Sequence, residues 1–263
     1  MPELSIITIN YNGGGIIRET IESVISQTYR DFEYIVIDGG STDVSREIIE
    51  EYRVKIDKFV SEPDEGVFDA QNKGIKMAEG NYLLFVNGGD RLLKEKSLEE
   101  FMSFEFDEAI VYGDMLVKLP NGFTMRREYP GKIKKHYMFS DTIPHQAALI
   151  KRSLFGKTGL FDLRYPITAD YHFFLKIIYE LKLPYRHISY PLSVFDFSGV
   201  SSRPEMRPEH DRQKFEAFKE VIGEKEAFKL QKIRPLIWIF TKYPRYSVYL
   251  LKSLISKKYL GKD

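Results

Sequence analysis

Leu4-Ser5-Ile6-Ile7-Thr8-Ile9, running into Asn10-Tyr11-Asn12, is the stretch that decides the fold. A short apolar run that ends abruptly in polar residues is what a strand buried within a parallel sheet looks like. Three more such runs follow, at 34–37, 59–60 and 82–86. Between them, residues fall at helical spacing: Ile17, Ile21, Val24 and Thr28; then Val44, Ile48, Ile49 and Tyr52; then Phe68, Asn72, Ile75 and Ala78. The order β-α-β-α-β-α-β predicts a parallel sheet wrapped by helices. After Asp90 the rhythm changes. The sequence predicts a short helix from Ser97, a strand over 109–112, a hairpin turn at Pro120-Asn121-Gly122 and a strand over 147–150. It then predicts a helix over 170–181 with Phe173, Phe174, Ile177, Ile178 and Leu181 inward, a late strand over 194–197, and helix beyond Pro208. The expectation is an α/β fold with a mixed sheet over 1–205, divided into halves at 1–95 and 96–205, and a helical extension over 206–263.

A chain of 263 residues supports one large domain with an appendage. Hydrophobic residues at 43% and charged residues at 29% are ordinary for a globular protein and too apolar for a disordered one. Cysteine is absent, so disulfides, thiolate metal sites and a cysteine nucleophile are excluded, and any metal would be held by oxygen or imidazole. No basic leader with an apolar core precedes the first strand, and the longest apolar run near the C-terminus, 236–240, is far below the roughly 20 residues that cross a bilayer. The expected location is cytoplasmic. The net charge of +1 hides an asymmetry: residues 229–263 hold nine Lys or Arg and one acid, leaving 30 of 39 basic and 37 of 38 acidic residues upstream, net −7. An acidic body argues against nucleic acid as a partner.

In an open parallel sheet, ligands bind outside the carboxyl ends of the strands. Four such ends carry polar residues: Asn10-Tyr11-Asn12, then residues 38–43, 61–66 and 87–90. Asp38 ends an apolar run before two glycines, which suits reading a base or ribose. Asp90 follows Gly88-Gly89, where a diphosphate can approach the backbone closely. One carboxylate with phosphate oxygens and waters suffices for a hard divalent cation. Taken alone, Asp38 reads equally well as a turn cap, and Asp90 reads better as a helix or turn cap than as a ligand.

Taken together and in order, Ser5-Ile6-Ile7-Thr8-Ile9-Asn10-Tyr11-Asn12, Ile37-Asp38-Gly39-Gly40-Ser41-Thr42-Asp43, Asn72-Lys73-Gly74-Ile75 and Asn87-Gly88-Gly89-Asp90 resemble the family 2 inverting glycosyltransferases. The resemblance covers roughly residues 1–200. It implies a GT-A fold, a UDP-sugar or related donor, Mn²⁺ or Mg²⁺ on the diphosphate, and inversion at the anomeric carbon. Carried over by position, Tyr11 and Asp38 would contact the base. Ile9, Asp64, Asn72, Lys73, Asn87, Gly88 and Gly89 would line the donor site, and Asp90 would bind the metal. Two departures stand out: the family often has two adjacent acids at Gly89-Asp90 and an acid at Asn87.

Inverting transfer needs a base for the acceptor hydroxyl proton. Asp170, in Thr168-Ala169-Asp170-Tyr171, stands where the family has an acidic pair, with Ala169 replacing the first acid. His145, in Ile143-Pro144-His145-Gln146, matches a His-Gln step of related bacterial transferases and would help the diphosphate or the acceptor. Asp162, in Gly159-Leu160-Phe161-Asp162, looks like the family's structural turn. In 229–263, Trp238, Phe240, Tyr243, Tyr246 and Tyr249 mix with basic residues. That composition reads either as a surface lying on anionic lipid at the cytoplasmic face of the inner membrane or as a cap packed on the core. The acceptor would be a saccharide or a polyprenyl-linked saccharide in surface polysaccharide assembly. A dinucleotide oxidoreductase would need Gly-x-Gly-x-x-Gly after the first strand, which Asn10-Tyr11-Asn12-Gly13-Gly14-Gly15 lacks. A nucleotidyltransferase and a non-catalytic nucleotide-sugar binder are the remaining alternatives.

Overall fold

A computed structural model describes residues 1–119, 122–196 and 204–242. Strand β1 (Leu4–Asn10) is buried at every position, as its apolar run requires. It lies between β2 (Phe32–Asp38) and β4 (Tyr82–Phe85), parallel to both, and β2 pairs in parallel with β3 (Lys58–Ser61). Helices α1 (Ile16–Ile25), α2 (Ser45–Glu51) and α3 (Val67–Met77) make the crossovers. Ile17, Ile21 and Val24 of α1, Ile48 and Ile49 of α2, and Phe68 and Ile75 of α3 are buried in the core, whereas Thr28 and Val44, expected in the same stripes, lie beyond the helix ends and are exposed. The register sets Asn10 opposite Asp38, and Asp38 opposite Ser61. Three polar residues therefore stand abreast at one rim.

The second half extends the same sheet. Beyond β5 (Arg91–Leu92) and α4 (Ser97–Met102) come β6 (Ile110–Lys118), β7 (Thr124–Arg127) and α5 (Lys135–Ser140). Strand β8 (Ala148–Lys151), α6 (Ser153–Thr158), α7 (Ala169–Leu175) and β9 (Tyr185–Asp196) follow, then α8 (Arg207–Ile222) and α9 (Glu224–Lys242). The strand order is β3-β2-β1-β4-β8-β6-β9-β5, with β7 paired to β6. Because β8 runs antiparallel to β4, the segment entering β8, with His145, arrives at the same rim as Asp38. Phe161 locks the turn before α7: its ring lies 5.3 Å from Phe68, 5.6 Å from Phe85 and 5.4 Å from Phe155. Truncating such a ring costs about 3–5 kcal/mol, and here it also fixes where α7 begins.

Several boundaries differ from the sequence expectation. The helix expected over 170–181 becomes a π-helical turn over Lys176–Glu180, and Leu181 is 38% exposed rather than inward. The late strand begins at Tyr185, not 194. Pro191 interrupts its pattern, and the β6 pairing shifts register from Gly113 opposite Ile188 to Asp114 opposite Pro191. Strand β6 runs on past Tyr112 to Lys118 and pairs with β7 as a hairpin; Pro120 and Asn121 of its turn lie outside the described residues. So do Phe197 and residues 243–263, and the side chains of Trp238 and Phe240 are likewise undescribed. Among the described residues, no helix is long and apolar enough to cross a membrane.

Candidate active site

The rim is built first by Asp38, which is fully buried. Its carboxylate accepts hydrogen bonds from Asn10 Nδ2 at 2.9 Å, the Ser41 backbone N–H at 2.9 Å, Ser61 Oγ at 2.8 Å, and the Ser41 hydroxyl. Burial alone would raise its pKa. These donors outweigh burial and hold it below the usual carboxylate value. Both oxygens of the expected base-contacting residue are thus taken up in joining β1, β2 and β3. The next loops are laced together: Asn12 N–H donates to Ser41 Oγ at 2.8 Å, Thr42 N–H to Asn12 Oδ1 at 2.9 Å, and Gly14 N–H to Asp43 at 2.8 Å. On this braced loop Tyr11 stands 66% exposed, while Ile9 is buried behind it in the strand.

Asp64 accepts the Gly66 N–H at 2.9 Å and lies against Gly39, where an added Cβ would sit 2.4 Å from its second oxygen. Only glycine at 39 permits that approach. Asn72 exchanges two 2.9 Å hydrogen bonds with the backbone of Phe161, and the Lys73 ammonium donates to Pro63 O at 2.8 Å and pairs with Glu62 at 2.9 Å. Both α3 residues are occupied in bracing the walls around the 61–66 loop and the 159–162 turn.

The 87–90 loop hugs β1. Gly88 N–H donates to Ile9 O at 2.9 Å, and Gly89, at φ 102°, adopts a conformation that side chains disfavour while its N–H bonds Thr20 Oγ at 3.0 Å. Asp90 is 5% exposed. Burial pushes its pKa up to about 7, against a 3.3 Å backbone N–H from Asp196 and the positive charge that His145 carries only when its ring is doubly protonated. The carboxylate of Asp196 adds to the rise, and the side chain of Gln146 opposes it.

The two candidate catalytic residues are in contact. His145 Nδ1 lies 2.7 Å from Asp170 Oδ2, and the other Asp170 oxygen accepts the Tyr171 N–H at 2.8 Å. Burial disfavours charge on the imidazole, but the bond to Asp170 and its negative charge prevail, so the His145 pKa is raised. On the far side of the ring, Nε2 is 3.2 Å from Asn87 Nδ2, and Asn87 Oδ1 accepts from Gln71 Nε2 at 3.1 Å. Thus His145, Asp170 and Asn87 come together, next to Asp90. Sequence reasoning missed Gln71, Gln146 and Asp196. Gln71 had a signal: it falls in the buried stripe of α3 with Phe68 and Ile75, where a polar residue needs a partner.

The family model described as "Glycosyl transferase family 2" matches residues 5–173. The chain belongs to glycosyl transferase family 2. This glycosyltransferase is 30% identical over 213 residues to a PGL/p-HBAD biosynthesis glycosyltransferase of Mycobacterium bovis, covering 76% of this chain and 80% of the relative. Residues 1–349 of S. aureus TarS, solved in complex with UDP, share its fold with a TM-score of 0.65 at 21% identity, over 94% of this chain and 75% of that one. The Pyrobaculum calidifontis mannosyltransferase PcManGT, solved with GDP-Man and Mn2+, aligns with a TM-score of 0.56 at 15% identity, over 100% of this chain and 88% of that one. The GT-A architecture expected from the sequence is therefore present, and the oxidoreductase and nucleotidyltransferase readings fall away.

Proposed function

We propose that the glycosyltransferase moves a sugar from a nucleotide-diphosphate donor, UDP-linked by first choice, onto a saccharide or polyprenyl-linked saccharide, inverting the anomeric carbon. The contact between Asp170 and His145, next to the 87–90 loop, carries this reading, because it sets an oriented carboxylate beside the expected diphosphate site. Asp170 serves as general base. As the acceptor oxygen bonds to the anomeric carbon, its proton passes to Asp170, and the bond to the diphosphate breaks with its electron pair on the leaving group. His145 steadies Asp170. Tyr11 stacks on the base from its exposed loop, and Asp38, Asp64, Asn72 and Lys73 hold the pocket walls, with Ile9, Gly88 and Gly89 giving close backbone approach.

Asp90 fits a divalent cation, Mn²⁺ or Mg²⁺, since its burial leaves a negative charge with little compensation. Among the described residues no cluster of three acidic or imidazole groups could hold the ion unaided, so the donor phosphates and water would complete its shell. When bound, the ion neutralises the departing diphosphate. The biosynthetic role of the mycobacterial relative and the UDP bound to TarS support the glycan pathway and the donor class. The GDP-Man bound to PcManGT keeps the base open. The domain halves 1–95 and 96–205 then divide as donor and acceptor sides, with 206–263 as the extension. Contact of 229–263 with anionic lipid at the cytoplasmic face belongs to the same proposal, and co-sedimentation of the full chain with anionic vesicles checks it. The donor is tested by screening UDP- and GDP-sugars for thermal stabilisation with Mn²⁺, since a ligand bound only by the folded state raises Tm. Absence of any stabilisation would point to another donor, and stabilisation without nucleotide release on adding acceptor would favour a non-catalytic binder.

A further inference from the structure

Four polar side chains from four segments form one hydrogen-bonded row: Gln71 of α3, Asn87 after β4, His145 before β8 and Asp170 at the start of α7. Each bond's direction is dictated by its neighbour. The Asp170 carboxylate only accepts, so His145 Nδ1 carries a hydrogen and donates. On a neutral ring Nε2 then keeps its lone pair, which is what the amide nitrogen of Asn87 at 3.2 Å requires. With that nitrogen turned to the ring, Asn87 Oδ1 faces Gln71, whose Nε2 donates at 3.1 Å. A hydrogen on Nε2 would set two N–H donors against each other unless both amides turned over. Gln71 is 1% exposed, so its amide can turn over only against the side chains packed around it. Its neighbour Asn72 is pinned twice to Phe161, which keeps α3 from drifting.

We propose that Gln71 is a positioning residue: it holds the Asn87 amide so that His145 stays neutral with its hydrogen on Nδ1, and so aims the Asp170 carboxylate at the acceptor hydroxyl. The aiming rests on the reading of Asp170 as base, whereas the hydrogen placement on His145 does not. Asp170 draws a second proton toward the ring, and the Asn87 amide, locked by Gln71, opposes it. Gln71→Glu reverses the polarity of the row. A carboxylate at 71 only accepts, so Asn87 turns its nitrogen to it and its oxygen to His145 Nε2, which then needs a hydrogen.

Long-range ¹H–¹⁵N correlation of the histidine rings in the full chain reads this directly, with His145 picked out of the five histidines by its loss in His145→Gln. In the wild type at mildly alkaline pH, Nδ1 should be pyrrole-like and Nε2 pyridine-like. In Gln71→Glu, Nε2 should become protonated; Gln71→Leu should give averaged shifts. Gln71→Glu should also lower kcat about 10–100-fold, the range for partners that orient a reacting group, with donor KM unchanged. A wild-type ring bearing hydrogen on Nε2 overturns the proposal without any variant needing to fold. So does a wild-type pattern in Gln71→Glu, or a switched ring with kcat intact. Should Asp170→Asn keep its turnover, the base reading fails while the ring spectrum still decides what Gln71 does.

Discussion

Replacing Asp90 by asparagine keeps the shape of the side chain and removes a charge that burial makes unfavourable. The pKa rises from an ordinary 3.8 to about 7, and each pH unit of displacement corresponds to about 1.4 kcal/mol, or about 4 kcal/mol in all. Relaxation and water entry reduce that figure, so about 2–4 kcal/mol is expected. Below pH 3.8 the carboxyl is protonated in folded and unfolded chains alike, and the two proteins should be equally stable. Between 3.8 and about 7 the folded chain keeps a proton that the unfolded chain has lost, so wild-type stability falls as pH rises. Above about 7 the penalty is constant. Urea unfolding in EDTA, followed by circular dichroism across this range, should therefore show D90N gaining on the wild type up to neutrality and then holding level. Mn²⁺ with UDP at the alkaline end should cancel that gap or reverse it: ligand at about 1,000 times Kd adds about 4.1 kcal/mol to the wild type and little to D90N. A pH-independent difference, or D90N less stable than the wild type in alkaline EDTA, would mean that the carboxylate is solvated and the reasoning wrong.

Asp170→Asn should lower kcat by about 10²–10⁴-fold, the usual contribution of a general base, and leave calorimetric UDP affinity unchanged; near-normal turnover removes Asp170 from that role. Tyr11→Ala should weaken UDP binding by about 1–3 kcal/mol, the worth of base stacking on a ring. Because the ring is 66% exposed, Tm should barely move, and unaltered affinity would place the base elsewhere. Asp38→Asn, which cannot accept all four hydrogen bonds, should cost about 1–3 kcal/mol at neutral pH. The lowered Asp38 pKa stabilises the fold above the unfolded value and is lost as pH falls through the folded one, so the two proteins should converge in acid. A gap that persists at low pH would contradict the shift.

The chain alone determined the sheet. Largely apolar runs such as those at 4–9 and 34–37 are best satisfied by burial on both faces, and helical stripes between them point to parallel crossovers. From that, the polar strand tips had to share one rim, and Asp38, Asn87 and Asp90 were legible as its residues. What periodicity reports is which side of an element is buried; it carries nothing about which distant atom a buried polar group meets. Only tertiary structure could show that Asp38 is consumed by Asn10, Ser41 and Ser61, that Asn72 serves Phe161, or that Leu181 turns outward through a π-helical turn. Likewise, His145 meets Asp170 across 25 residues, Gln71 meets Asn87 across 16, and Asp196 reaches Asp90 across 106. Those meetings depend on how α3, β8, α7 and β9 are stacked against one sheet, because a hydrogen bond is settled by tenths of an ångström between segments whose spacing in the chain is arbitrary.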